Sequence, residues 1–433
     1  MRVLTPSTSQ NKRPPLSVSH APDPCSATGQ SDTGVAGVRA LAEMFGGITD
    51  PRKLRGIRHR IGAVLTVMVL AVLAGARNFR EIADRGAEVP SDLLAVAGCR
   101  VHPVTGDHMV PSAATIRRVA HGIDADAADA RVSAWLRTQA LARTIAQDAA
   151  GKPADTGDPT DPLVAVAMDG KTIRNTIAPG GAEGSEIKLF SALTHDEAIV
   201  IAQHRIPTGT NEITQVRALL GEVDLRGVVV TGDAAHAQHA TAAHIATERG
   251  GHYALTVKGN HPGLLARITA VLPPAAPGSE HHVTDDRSHG RIVRRAIWVA
   301  PADGIDFPGA AQVFRIRRDT FDHLGRRLTK EVVHGVTSLT AEQAAPEQVA
   351  GLVRNHWRIE NASHWVRDVV YREDHQHAYI GTGAQVMATL RNLALGLLRL
   401  AGITEITRTL QRIAADRTRI LPIIAAATST NRL

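Results

Sequence analysis

The chain has 433 residues, enough for two or three domains with a core each, and its 49 Lys and Arg residues outnumber its 42 Asp and Glu residues. This basic surplus, with a pI of about 9.8, fits a protein that binds a polyanion. Only two cysteines occur, Cys25 and Cys99, which excludes a disulfide framework and a four-cysteine zinc site and favours a cytoplasmic location.

The first 35 residues have the composition of a disordered tail. They are rich in Ser, Thr and Pro and lack the apolar stretch of a signal peptide. A segment of this kind cannot bury enough apolar surface to order itself. We therefore predict disorder over residues 1–35.

Residues 36–149 have helical periodicity and predict an all-helical N-terminal domain, a candidate for binding DNA ends. Its longest apolar run, Ile61–Ala76, reads IGAVLTVMVLAVLAGA. As a helix this run would reach only about 24 Å, short of the roughly 30 Å hydrocarbon core of a membrane. We therefore expect a buried helix and no contact with a membrane.

Two further helices in this region have sequence signals for their N-termini. Asn78 precedes FREIADRG, and Ser112 precedes AATIRRVAHG, and both residue types cap helices well. On the second helix, Arg117 and Arg118 should face outward. Two interpretations stay open for this helix: a reader of a DNA groove or a plain surface helix.

Residues 150–162, AGKPADTGDPTDP, read as a linker, after which the apolar period becomes that of strands. A mixed α/β domain is predicted over residues 163–420. Its predicted strands and helices follow in chain order as LVAVAMDG, EIKLFSALT, AIVIAQHRI, the helix NEITQVRALLGEV, GVVVTGDA, the helix HATAAHIATERG and HYALTVKG.

A β-rich insertion is predicted at about residues 262–346, because three segments there alternate apolar and polar residues. Its arginines are expected to divide between solvated surface and DNA backbone contact, and Arg294 and Arg317 are our candidates for DNA contact. Helices return from Pro346, and residues 421–433 are predicted to form a tail. The arginines of the insertion are Arg291, Arg294, Arg295, Arg315, Arg317 and Arg318.

Three acids have the placement of a metal centre. Asp169 and Asp233 each follow an apolar strand, where side chains enter the crevice at the carboxyl edge of an α/β sheet. Glu360 lies in a predicted helix, within RNHWRIENASHW. Carboxylates converging from two strands and a helix would hold two Mg²⁺ ions, with Mn²⁺ able to substitute, and support in-line attack on a phosphodiester.

Other interpretations compete with this one. A strand-end aspartate often only caps the next turn. His356, Glu360 and His364, at successive steps of four residues, could bind zinc instead. Asp368 and Glu373 are alternatives to Glu360 as the third acid.

The aromatic and histidine residues near these acids have two interpretations as well. Trp357 and Trp365 are eight residues apart and should share a helix face, packed in the core or stacked on an unpaired base. His236, His239 and His244 read as a solvated helix face, although His236 follows Asp233 by three residues.

An ordered set of segments resembles the DDE transposases of bacterial insertion sequences, in the ISAs-type branch. The set covers roughly residues 38–402, and the N-terminal helical region resembles the domain that accompanies that branch. The segments are AMDGKTIRNT, IKLFSALT, TGTNEITQVRALL, VVVTGDAAHAQHATAAHI, HYALTVKGNHPGL, HGRI and RNHWRIENASHWVRDVVYRED.

This resemblance implies a ribonuclease-H-like catalytic core, a divalent metal, and cutting and joining of DNA at terminal inverted repeats. Asp169, Asp233 and Glu360 match the three metal-binding acids. Double-stranded DNA, as inverted-repeat ends and as target, would be the partner, bound by a homodimer in a synaptic complex at the nucleoid.

The chain departs from the wider group at several positions. Relatives have Tyr, Arg, Glu and Lys at offsets that fall here on Val353, His356, Glu360 and Arg367. Ala237 and the pair Ala362 and Ser363 also differ from the usual residues. We expect His356, Trp357 and Arg367 to handle DNA beside Glu360.

Charge and position, apart from the resemblance, place three further residues near phosphate. Lys171 follows the first acid by two residues, and Lys258 and Asn260 follow the fifth strand. Two alternative functions remain at this stage: a structure-specific nuclease that does not join strands, and a catalytically silent DNA-binding protein derived from a transposase.

Overall fold

The computed structural model describes residues 31–149, 163–181, 185–274, 278–288 and 290–429. The predicted linker and residues 1–30 lie outside this part of the chain. The helices are α1 Ser31–Gly46, α2 Ile61–Leu73, α3 Phe79–Gly86, α4 Ser91–Val96, α5 Ala113–Gly122, α6 Ala125–Ala149, α7 Glu212–Leu220, α8 His239–Ala242, α9 Pro262–Val271, α10 Pro346–His356, α11 Trp365–Val369, α12 Gly383–Leu400, α13 Ile406–Ala415 and α14 Ile420–Thr428.

The predicted sequence signals of the N-terminal helices are confirmed. All of α2 is buried, and no helix in the described residues is long and apolar enough to cross a membrane. Asn78 accepts hydrogen bonds from the backbone N–H groups of Arg80 and Glu81, and Ser112 accepts one from Thr115. Each cap satisfies backbone donors that the first helical turn leaves without partners.

The predicted tails at both ends are partly wrong. Residues 31–35 belong to α1 and residues 421–428 to α14, because these two helices pack on each other. A Cβ at Gly34 would lie 2.6 Å from the carbonyl oxygen of Leu421, so the helix backbones are in close contact there. Mutual burial supplies the ordering free energy that neither segment has alone.

One sheet of nine strands runs through the rest of the described chain in the order β3-β2-β1-β4-β5-β9-β8-β7-β6. β1 pairs antiparallel with β2 and parallel with β4, and β4 pairs parallel with β5. The strands are β1 Val164–Ile173, β2 Ile187–Thr194, β3 Val200–Ile206, β4 Val228–Gly232, β5 His252–Val257, β6 His282–Ser288, β7 Arg291–Pro301, β8 Gln312–Asp322 and β9 Arg327–Thr337.

This architecture confirms the predicted fold class, a ribonuclease-H-like mixed sheet preceded by helices. The first five strands form the order 3-2-1-4-5, and β9 pairs antiparallel with β5. The strands of the predicted insertion therefore extend the same sheet. The sequence did not reveal α9, which lies between β5 and β6 and packs against β9.

Helix α12 joins the N-terminal helices to the sheet. It packs against α2, α5, α6 and α14 on one side and against β2 and β3 on the other. Gly396 allows close contact with α6, since a Cβ there would lie 2.4 Å from Cδ2 of Leu136. The helices at the two ends of the described chain consequently share one hydrophobic core with the sheet.

A buried carboxylate, Asp129, connects α6 to this arrangement. Gln203 on β3 and Gln385 on α12 donate to it at 2.7 and 2.8 Å, and the hydroxyl of Thr389 donates as well. Burial raises the pKa of Asp129 to about 7, although these three hydrogen bonds lower it.

The buried Asp129 predicts that stability falls as pH rises. Between the unfolded pKa of 3.8 and the folded pKa of about 7, the folded state holds one more proton than the unfolded state. The free energy of unfolding should therefore fall by up to about 1.4 kcal/mol per pH unit across this window. Urea unfolding at several pH values should show a shallower dependence in Asp129→Asn, and no change in the exposed control Glu222→Gln. An unchanged slope in Asp129→Asn would contradict the prediction.

Candidate active site

Asp169 and Glu360 meet at one edge of the sheet. Their carboxylates and a ring nitrogen of His364 all lie within 4.8 Å of one another, the spacing of ligands around one cation. Asp233, which is exposed, follows the last residue of β4 directly, and its carboxylate accepts a hydrogen bond from the backbone N–H of Ala235. The fold thus brings Asp169 and Glu360 together, while Asp233 lies outside this 4.8 Å group but close enough for its charge to raise the pKa of Asp169.

The sequence pattern predicted that Asp169 follows the end of its strand, but Asp169 lies within β1. β1 continues to Ile173 because it stays paired with β2, whereas its pairing with β4 ends at Ala167. Asp169 therefore lies just beyond the end of the parallel pair, in the crevice between the two strands.

The electrostatics of Asp169 favour a bound cation. Burial and the charges of Glu212, Asp233 and Glu360 together raise the pKa of Asp169 to about 7, although a backbone hydrogen bond from Gly170 lowers it. A carboxyl group that other carboxylates surround gains most from a divalent cation, whose ligands are oxygens. The donor set therefore fits Mg²⁺ or Mn²⁺.

Glu360 lies in a π-helical segment, residues 359–364, between α10 and α11. His364 donates its Nδ1–H to the Glu360 carboxylate at 3.0 Å, and the same nitrogen is 3.7 Å from Asp169. This bond lowers the pKa of Glu360 and fixes the direction of its carboxylate. π-Helical turns commonly occur at functional sites.

His356 is buried and is not part of the group of Asp169, Glu360 and His364. Its Nδ1 is 3.2 Å from the hydroxyl of Thr231, which is also 2.9 Å from Nε2 of His195. Burial lowers the pKa of His356 to about 4, so the ring is neutral at pH 7. The zinc set of His356, Glu360 and His364 is thus not assembled, and the buried neutral ring of His356 is not placed to contact DNA, contrary to the prediction.

Arg367 is also buried, contrary to its predicted contact with DNA. Its guanidinium binds Glu373 at 2.8 Å, and Arg391 of α12 binds the same carboxylate at 2.6 Å. This pairing explains why a fully desolvated arginine is tolerated there. It also occupies Glu373, an alternative third acid.

Lys171 is held by acids, not exposed toward a phosphate. Its ammonium donates to Asp368 at 2.7 Å and lies 3.7 Å from Asp374. Asp368, the other alternative third acid, is engaged in this pair. The charge of Lys171 still reaches the site, where it lowers the pKa of Glu360.

Asn260 and Lys258 have different surroundings. The amide of Asn260 donates to the carbonyl of Ala234 at 2.7 Å and so braces the turn that follows Asp233. Lys258 is exposed, and no ion pair reaches it within the described residues. Of the predicted phosphate-binding residues, Lys258 is the one whose charge is available.

Trp357 and Trp365 are both more than half exposed. Contrary to the prediction, they do not share a helix face. Trp357 lines one cavity and Trp365 another. The π-helical segment between them explains the difference, because its wider turns offset the eight-residue spacing.

The cavity beside Trp357 has a volume of about 860 Å³ and is called the basic groove here. It extends from α10 and the π-helical segment across β6, β7, β8 and β9, and it is lined by apolar residues, four cations and one acid, Glu331. Its principal residues are Lys258, Arg295, Ile297, Ile316, Arg318, Val332, Val333, Arg354, Trp357 and Asn361.

Four arginines of the predicted insertion are paired with acids, three of them on a neighbouring strand and Arg317 on its own strand. Arg294 binds Asp285 at 2.8 Å, Arg317 binds Asp319 at 2.6 Å, and Arg318 binds Glu331 at 2.8 Å. Arg295 binds Asp286. Each pairing offsets part of the positive charge that DNA would meet.

Two residues near the acids were not predicted as part of the site. Glu212, at the start of α7, lies close enough to Asp169 to raise its pKa, although the sequence pattern identified only a helix start. His236, predicted on a solvated helix face, is fully buried and stacked on Phe190. The sequence feature that could have pointed to Glu212 is the glycine after Asp169, because a glycine there makes room for another carboxylate.

Known proteins resemble this chain over most of its length. Residues 161–397 match the family described as "Transposase DDE domain", and residues 42–136 match "DDE_Tnp_1-associated". In Escherichia coli K12, "H repeat-associated putative transposase YhhI" is 26% identical over 90% of this chain and 99% of its own length, as is "Putative protein YbfL". "Putative transposase YncI" of Escherichia coli O157:H7 is 27% identical over 84% of this chain and 88% of its own length.

Among solved structures, the piggyBac transposase synaptic complex with hairpin DNA aligns with 88% of this chain and 76% of its own, at 9% identity and a TM-score of 0.36.

Proposed function

Because this chain belongs to the family of transposase DDE domains, we propose that it cuts and joins DNA at the terminal inverted repeats of a bacterial insertion sequence. The reaction would be in-line attack on a phosphodiester by water or by a 3′ hydroxyl. The proposal is carried by one observation, the meeting of the Asp169 and Glu360 carboxylates within 4.8 Å beside the strand that Asp233 follows.

Asp169, Asp233 and Glu360 would hold the divalent cations. When bound, these ions polarise the phosphate, activate the attacking oxygen and stabilise the leaving oxygen. His364 keeps the Glu360 carboxylate turned toward Asp169 through its 3.0 Å hydrogen bond. Asn260 holds the turn after Asp233, so that the third carboxylate stays at the sheet edge.

The basic groove is the proposed path of the DNA. Trp357 and Asn361 line it, and they flank Glu360 in the same helical stretch. Lys258 supplies a charge for the phosphate backbone, and Trp357 offers an exposed ring on which a base could stack. A homodimer would bring the two ends of the element together.

The test is cleavage and joining of a labelled fragment that carries the inverted repeats flanking the gene. We expect strand cleavage and joining with Mg²⁺ or Mn²⁺ and neither reaction with EDTA. Hydrolysis without joining of pre-cleaved ends would favour the structure-specific nuclease. DNA binding without cleavage under any metal condition would favour the silent DNA-binding protein.

Replacing Lys258 with Ala should weaken DNA binding evenly across sequences. One lost phosphate contact should lower the slope of log affinity against log salt by about one between about 50 and 200 mM salt. Fluorescence anisotropy with an inverted-repeat duplex measures both quantities.

The matched control is Arg226→Ala, an exposed basic residue paired with Asp224 at 2.6 Å. It should leave the slope unchanged. Arg294→Ala should change it less than Lys258→Ala, because Asp285 already neutralises that arginine. Equal slopes for wild type and Lys258→Ala would remove Lys258 from the DNA path.

A further inference from the structure

A fourth carboxylate, Glu212, points into the group of acids. Glu212 is the first residue of α7, whose N-terminus is capped by the side chain of Asn211. The helix therefore has its cap without help from Glu212. An acid in the first turn of a helix often does no more than interact with the helix dipole. The position of the Glu212 side chain therefore shows whether it has another role.

That position is defined by Gly170, the residue after Asp169. A Cβ at Gly170 would lie 2.0 Å from Oε2 of Glu212, so any other residue here would force the Glu212 carboxylate to move away. The glycine lets the Glu212 carboxylate lie against the backbone of β1, directly beside the first acid. A helix-dipole role would not require this contact with another element.

The neighbours of Glu212 compensate its charge only in part. Within the described residues no hydrogen bond to its carboxylate is found, and its ion-pair partner is His236, with Nε2 at 3.9 Å. Burial and the charge of Asp233 raise the pKa of Glu212, and the charge of Lys188 offsets part of this rise. Three acids, Asp169, Asp233 and Glu212, thus interact across the same crevice.

His236 gives an independent sign of a ligand at this place. Its ring is fully buried, stacked on Phe190 with a centroid distance of 5.2 Å, and neither ring nitrogen has a hydrogen-bond partner among the residues that the structure describes. An unpartnered buried imidazole costs free energy. A small shift of the Glu212 carboxylate would let one oxygen bind a cation and the other accept a hydrogen bond from Nε2 of His236. Carboxylates that bind metals are usually hydrogen-bonded by a neighbouring group in this way.

We propose that Glu212 is a fourth carboxylate ligand of the divalent cations, supported from behind by His236. This inference rests on the proposed function, since it concerns the same cations. It makes the ligand set Asp169, Glu212, Asp233 and Glu360. A set of four carboxylates suits two cations better than a set of three does, because each cation then has two carboxylate ligands on average.

The experiment is calorimetric titration of the metal-free protein with Mn²⁺, without DNA. Glu212→Gln keeps the size and polarity of the side chain but not its charge. We expect it to bind Mn²⁺ at least about tenfold more weakly, or to bind one ion where wild type binds two. Glu222→Gln, an exposed acid beyond the other end of α7, should bind as wild type does.

The outcomes separate this inference from the proposed function. If wild type binds Mn²⁺ and cleaves DNA while Glu212→Gln binds with unchanged affinity and stoichiometry, only the role of Glu212 is wrong. If wild type neither binds Mn²⁺ nor cleaves, the proposed function fails first. Should Glu212→Gln not fold, Glu212→Asp tests the same point, because withdrawing the carboxylate by one methylene should also weaken binding.

Discussion

Asp169→Asn is expected to lose cleavage by about a thousandfold or more while the metal-free protein becomes more stable. The loss follows because a metal ligand acts on the chemical step, and a thousandfold corresponds to about 4 kcal/mol of transition-state stabilisation. The gain follows because the ionised carboxylate is part-buried among Glu212, Asp233 and Glu360. An amide of the same shape removes that repulsion.

Three measurements check this expectation together. The cleavage rate should fall, the Tm of the metal-free protein should rise, and the further rise in Tm that Mg²⁺ gives wild type should be lost. Glu360→Gln should lose cleavage as well but gain less stability, since its side chain is half exposed and hydrogen-bonded by His364. Glu222→Gln serves as the unchanged control.

Retained cleavage in Asp169→Asn would remove this residue from the metal site. A large fall in its metal-free Tm would instead mean that the carboxylate stabilises the fold, contrary to the repulsion argument. Only the first result would require another first ligand, and the family assignment would stand in both cases.

Glu373→Ala is expected to lower the free energy of unfolding by roughly 3–5 kcal/mol, because it leaves two buried guanidinium groups without their shared partner. Arg367 and Arg391 both bind Glu373, and all three side chains are at most 2% exposed. Burial alone would raise the pKa of Glu373, but the two arginines lower it to about 2. The stabilisation should thus be present above the ordinary glutamate range and be lost as pH falls toward 2.

Urea unfolding of Glu373→Ala and of Glu405→Ala provides the comparison. Glu405 pairs with Arg408 at 3.2 Å on the surface, with both side chains more than 60% exposed, so its loss should cost under about 1 kcal/mol. Equal small losses in both variants would show that the interior pair is not needed for stability. Because Arg367 follows the π-helical segment, Glu373→Ala should also reduce cleavage by displacing Glu360.

The local signals of the sequence predicted the elements well. Apolar runs identified the strands of the sheet, and Asn78 and Ser112 marked true helix starts, because these features depend on neighbouring residues only. The placement of Asp233 directly after β4 followed for the same reason. These elements bring the acids to one edge of the sheet.

The errors concern residues whose partners are distant in the chain. Arg367 looked like a surface cation beside Glu360, but Arg391 and Glu373 close over it only after α12 has packed. Trp357 and Trp365 were placed on one face by α-helical spacing, which the π-helical segment breaks. Asp169 lies within a strand because β2 extends the pairing of β1, which the β1 segment alone does not reveal.

The packing of α12 on α2 has a consequence for synthesis on the ribosome. α2 is apolar on every side, and α12, which covers part of it, is translated more than 300 residues later. At roughly 5–20 residues per second, the nascent α2 would wait tens of seconds for that cover. A chaperone that shields apolar segments would therefore have a long interval in which to act. Messenger RNAs truncated before α12 would yield fragments that aggregate and are sensitive to proteases.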